Sequence, residues 1–155
     1  MKKIWIALAM TLVATATPVH AQQAGQQAEV IASVTRFVEG FNKGDTKTLV
    51  KSCSSETAII DEFPPHVWHG VGACAAWARD YNANAKRLDI TDGVVTLGKA
   101  THVDVTGDRA YVVIPSDYSF KQKGKPVKET GSAFSFAMQK VGPSWKIAGW
   151  SWAAK

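Results

Sequence analysis

The sequence predicts an α+β chain in which three helices precede a curved, mainly antiparallel sheet. Three observations carry this. Apolar residues recur at three- and four-residue spacing up to the middle of the chain, the period changes to two beyond Asp89, and turn signals then divide the remainder into hairpins. The 155 residues, 46% hydrophobic and 20% charged, suit one core and exclude two large domains or a low-complexity chain.

Residues 1–21 read as a secretory signal. Met1, Lys2 and Lys3 give a positive start, Ile4 to Val13 is apolar apart from Thr11, and Val19-His20-Ala21 offers a cleavage site after Ala21. The apolar run, about ten residues, is too short to span a bilayer. Cleavage removes Lys2 and Lys3 and leaves 16 basic against 13 acidic residues, a net charge of +3. The remaining basic residues are scattered. Their densest group, Lys121, Lys123, Lys125 and Lys128, surrounds a Gly-Lys-Pro turn and lacks the stripe of a nucleic-acid surface. The expected location is the periplasm or the exterior, with no membrane contact after cleavage. In that oxidising setting Cys53 and Cys74 are expected to pair. A closed loop of about 20 residues stabilises a fold by roughly 3 kcal/mol. Two unpaired buried thiols are the alternative.

Gln22 to Gln27 shows no periodicity and reads as a loose leader, which places the domain at residues 28–155. Val30, Val34, Phe37, Val38 and Phe41 draw one stripe down a first helix, and Asn42-Lys43-Gly44 stops it. Asp45 caps a short second helix with Leu49, Val50 and Cys53 as its apolar positions. Thr57 to Phe63 reads as a strand ended by Pro64-Pro65. Gly72 to Ala85 carries Cys74, Trp77, Ala78 and Tyr81 at helical spacing.

Beyond Asp89, turns at Gly107-Asp108, Gly124 and Gly142-Pro143 predict four long strands. The first hairpin sets Val105 opposite Ala110 and Val103 opposite Val112. The last sets Ala137 against Ala148, Ser135 against Trp150 and Ala133 against Trp152. Phe134, Phe136, Met138, Trp145 and Ile147 then share the other face, which a second copy of the chain is expected to cover as a homodimer.

The element order resembles the nuclear transport factor 2-like superfamily, which includes SnoaL-like polyketide cyclases and ketosteroid isomerase. The most telling pieces are the run from Phe37 to Asp45, then Trp68-His69-Gly70, then Trp145-Lys146-Ile147. The resemblance covers residues 28–155. It implies a cone-shaped, cystatin-like fold whose sheet wraps the helices around an apolar pocket, and no single function. Ketosteroid isomerase uses a carboxylate base and two oxyanion donors. In this comparison the base position falls on Glu62, beside Asp61. The helix Tyr falls on Phe37, after Arg36, and the strand from Thr130 to Lys140 holds no Asp or Glu as second donor. Losing one such donor costs on the order of 10²-fold in rate, so that chemistry is not expected.

Asp61, Glu62 and His69 are the candidate catalytic residues, because a carboxylate desolvated against aromatic walls becomes a base near neutral pH. Alternatively the two acids accept backbone N–H bonds in the Pro-rich turn. Trp68, Tyr118, Ser135, Trp150 and Trp152 are the candidate ligand-binding residues. No cofactor and no metal are expected, since His66 and His69 lack helical spacing and a clear third ligand. Three readings stay open: a binder of a small apolar molecule, a lyase, isomerase or hydrolase using Glu62 or Asp61 with a His, and a structural dimer with a filled pocket.

Overall fold

A computed structural model describes residues 17–155, so most of the expected signal segment lies outside the described residues. The first helix, α1 (Thr17–Asn42), begins earlier than the sequence predicts. Residues 22–27, expected as a loose leader, are helical, and Gln27 Nε2 donates to Val103 O at 3.1 Å. The Val30, Val34, Phe37 and Val38 stripe is buried as expected. Two further anchors fix the helix on the sheet. Ser33 Oγ donates to Trp145 O at 2.7 Å, and the Asn42 amide both donates to Val95 O and accepts from Val95 N–H, each at 2.8 Å.

Asp45 caps α2 (Thr46–Ser52) through its carboxylate, which accepts from Thr48 N–H at 3.0 Å. The strand β1 (Cys53–Ile60) follows directly, four residues earlier than predicted. Ser54 and Ser55 thus belong to a strand. The sequence reading missed β2 (Val67–Val71), an edge strand antiparallel to β1. Next comes α3 (Ala73–Leu88), which buries Cys74, Trp77 and Ala78. A disulfide joins Cys53, at the start of β1, to Cys74, in the first turn of α3. Among the described residues no helix is long and apolar enough to cross a membrane.

The second half holds five strands where four were expected, because Gly98 to Thr101 interrupts the first: β3 (Ile90–Leu97), β4 (His102–Thr106), β5 (Arg109–Gln122), β6 (Lys125–Val141) and β7 (Ser144–Ala153). The sheet runs β2-β1-β7-β6-β5-β3, with β4 on the other half of the long β5; only the β1–β7 pair is parallel. Val105 faces Ala110 and Val103 faces Val112, as predicted.

The β6–β7 hairpin corrects the predicted register. Met138 pairs with Ile147 but Ala137 pairs with Gly149, so Ala148 forms a bulge. One extra residue exchanges the faces of a strand. Phe136 therefore faces Trp150, and Phe134 faces Trp152, while Ser135 faces Ser151. Phe134, Phe136, Met138, Trp145 and Ile147, expected to await a partner, are all buried in this chain's own core. The surface that motivated a homodimer is the inner face of the sheet, covered by the helices.

Candidate functional site

The open end of the cone holds a pocket of about 400 Å³, within the range of small-molecule sites. Phe37 and Phe41 of α1, Trp77 and Tyr81 of α3, Tyr118 and Phe120 of β5, Phe134 of β6, and Trp150 and Trp152 of β7 give it aromatic walls. The rings interlock: Trp77 meets Trp150 edge-on at 4.8 Å between centroids, and Phe41 meets Tyr81 at 4.9 Å. Asp61, Glu62 and Glu129 bring carboxyl groups to this apolar wall.

Asp61 sits where β1 leaves the sheet. The turn is closed by Asp61 N–H donating to His66 O at 3.0 Å and His66 N–H donating to Phe63 O at 2.9 Å. Both carboxylate oxygens are held: Oδ1 accepts from Glu62 N–H at 2.7 Å, and Oδ2 accepts from the Trp77 indole N–H at 2.8 Å. Burial still outweighs these bonds and pushes its pKa up to about 6. Burial also raises the neighbouring Glu62 carboxyl above its ordinary value.

Glu129 is the residue that sequence reasoning missed. Alternation counted back from Phe134 turns Glu129 away from the core. The ladder, however, pairs Ser116 with Ser132 and then Tyr118 with Glu129, so β6 carries an extra residue at Thr130–Gly131. This bulge reverses the parity and points Glu129 into the pocket, directly across from Tyr118. The absence of an acid from Thr130 to Lys140 is correct, yet an acid one position earlier reaches the site. Glu129 Oε2 is shut off from solvent and has no hydrogen-bond partner among the described residues. Burial raises its pKa first, followed by the charges of Glu62 and Asp61.

The Tyr81 and Tyr118 hydroxyls bond each other across the pocket. Burial raises both phenols, and for Tyr118 the bond with Tyr81 adds to the rise. Their approach depends on Gly93, where a Cβ would lie 2.6 Å from the Tyr118 oxygen and 3.0 Å from that of Tyr81. Phe37 provides no hydroxyl, but this pair places O–H groups in the same cavity.

Asp61, Glu62, Tyr118, Trp150 and Trp152 are thus brought together as expected, and three other candidates are not. His69 pairs with Ala58 and is exposed, because neighbouring Trp68 takes the inward position opposite buried Ile59. Trp68 itself is buried behind the wall. It packs on Phe63 at 5.0 Å and donates to Asp80 Oδ2 at 2.9 Å, which lowers the Asp80 pKa. Ser135 lies on the outer face, 2.7 Å from Ser151 Oγ. Among the described residues no group of three His, Cys, Asp or Glu side chains is placed to hold a metal ion.

The fold has many solved counterparts. A protein of unknown function from Mycobacterium tuberculosis is 16% identical with a TM-score of 0.73, covering 90% of this chain and 78% of its own. A nuclear transport factor 2-like protein with a cystatin-like fold from Novosphingobium aromaticivorans is 19% identical, with a TM-score of 0.71 and coverage of 87% and 85%. A ketosteroid isomerase-like protein from Erwinia carotovora atroseptica is 15% identical, with a TM-score of 0.66 and coverage of 83% and 95%. No curated protein matches the chain. Residues 30–152 match the SnoaL-like domain model, and with this fold the chain belongs to the SnoaL-like family of the nuclear transport factor 2-like superfamily.

Proposed function

We propose that this protein binds a small, predominantly apolar molecule at the open end of its cone, and that it does so outside the cytoplasm. The observation that carries the reading is the 400 Å³ pocket, whose aromatic walls are not closed by its own Phe37, Trp150 and Trp152 side chains. A structural element with a filled interior would leave no such space. The export half rests on residues 1–21 and accords with the Cys53–Cys74 bond.

Binding is tested with N-phenyl-1-naphthylamine, a neutral probe whose fluorescence rises in apolar sites. The expected Kd is on the order of 10 μM or below. Ala85→Trp, on the α3 wall, fills the pocket and abolishes binding while the far-ultraviolet circular dichroism stays unchanged. Equal binding by this variant overturns the reading.

One observation favours a second reading, proton transfer by the bound protein. Asp61 is fixed at two oxygens and titrates near pH 6, the condition of a general base. 5-Nitrobenzisoxazole reports on such a base, which takes the ring C–H proton as the N–O bond breaks to give a nitrile and a coloured phenolate. Ring opening that rises with pH through about 6 and drops at least about tenfold in Asp61→Asn supports the reading. Equal rates in both proteins reject it.

A further inference from the structure

The charge a ligand should carry can be read from the groups that face one another across the pocket. Asp61 and Glu62 enter from the β1–β2 turn and Glu129 from β6, while α3 contributes Tyr81 and Arg87 and β5 contributes Tyr118. The Arg87 guanidinium bonds Asn84 Oδ1 on its own helix at 2.6 Å, and none of the ion pairs among the described residues involves the three acids. The two phenols share one hydrogen bond with each other. Three carboxyls therefore face an aromatic cavity without an ion pair to Arg87, which shares the lining, or to any other cation among the described residues, although His66 stands close enough to favour the charged form of Asp61; the chain's formal net charge is +5.

Two further observations narrow the partner. Glu129 Oε2 is covered and unpartnered, so it lacks an N–H or O–H donor. The acids do not draw together into a metal-holding group, and they share the pocket lining with aromatic side chains, a residue class that attracts organic cations.

We propose that the pocket takes a protonated amine on an apolar, ring-bearing body. The ammonium stands against the Glu129 carboxyl group and near Asp61 and Glu62, while the body lies against Trp77, Trp150 and Phe134. This proposal rests on the ligand-binding reading and adds the chemical class of the ligand.

The test is a matched pair of probes, 2-naphthylmethylamine and 2-naphthylmethanol, titrated at neutral pH into the disulfide-bonded protein and followed by tryptophan fluorescence. The amine is expected to bind about tenfold more tightly or better. Glu129→Gln should remove most of that preference. In the unmodified protein, acidification to about pH 4 should shrink the preference as the carboxyls protonate. An alcohol that binds as tightly as the amine overturns the proposal and leaves the ligand-binding reading standing. So does failure of both naphthyl probes where N-phenyl-1-naphthylamine binds. Failure of all three removes both.

Discussion

Trp77 donates its indole N–H to Asp61 Oδ2 at 2.8 Å, tying the second turn of α3 to the turn that leaves β1. The bond favours the ionised carboxylate and so opposes the desolvation that raises Asp61. Trp77→Phe keeps an aromatic ring and removes the donor. The Asp61 midpoint is expected to rise above about 6, as measured by carbon NMR titration of the side-chain carboxyl. An unchanged or lower midpoint contradicts this assignment.

The same raised pKa makes folding stability depend on pH with a definite sign. Between the ordinary aspartate value of 3.8 and about 6, the folded state keeps a proton that the unfolded chain has released. The Asp61 contribution to stability therefore falls as pH rises through that window and stays low above it. Relative to the native protein, Asp61→Asn should gain on the order of 2 kcal/mol between about pH 4 and about pH 7.5, allowing for partial exposure. Urea unfolding of both proteins at the two pH values checks this.

Cys53 and Cys74 stand 21 residues apart in sequence, and their bond limits the unfolded chain. Its removal in a Cys53→Ser, Cys74→Ser double variant should cost about 3 kcal/mol. The change is read from urea unfolding, with the native protein under reducing conditions as a parallel measurement. A loss well under about 1 kcal/mol contradicts the expected loop-closure effect.

Gly93→Ala puts a methyl group against the ends of two flexible side chains, so the fold should survive while the Tyr81–Tyr118 bond breaks. Separation removes one cause of the raised Tyr118 pKa. Tyrosine ionisation, followed by ultraviolet absorbance, should move toward the ordinary range near about 10. A titration identical to that of the native protein shows that the pair has absorbed the methyl group.

Local signals made much of this structure legible. The α1 stripe, the Asp45 cap, the Gly107-Asp108 hairpin and the Cys53–Cys74 pair depend on short-range periodicity, turn chemistry or compartment, all visible in one chain. What escaped reading depends on events in the sheet. The Ala148 and Thr130–Gly131 bulges carry no sequence signal of their own beyond Gly131. Each nonetheless inverts the facing of the residues beyond it, moving Trp150 and Trp152 to the same face as Phe134 and turning Glu129 inward. His69 and Trp68 were misplaced for a related reason. Alternation on an unrecognised edge strand allows only one of two neighbours to face the interior.

The bulge at Thr130–Gly131 also divides one strand into two regimes of heredity. On its far side Ser132, Phe134, Phe136 and Met138 are locked into the core, where a change of size is costly. On its near side Glu129, which lines the cavity, is only partly buried. Substitution there can alter the polarity of the cavity without disturbing the packing a few residues away. A single inserted residue thus gives this scaffold a site at which new ligand preferences can arise under weak structural constraint.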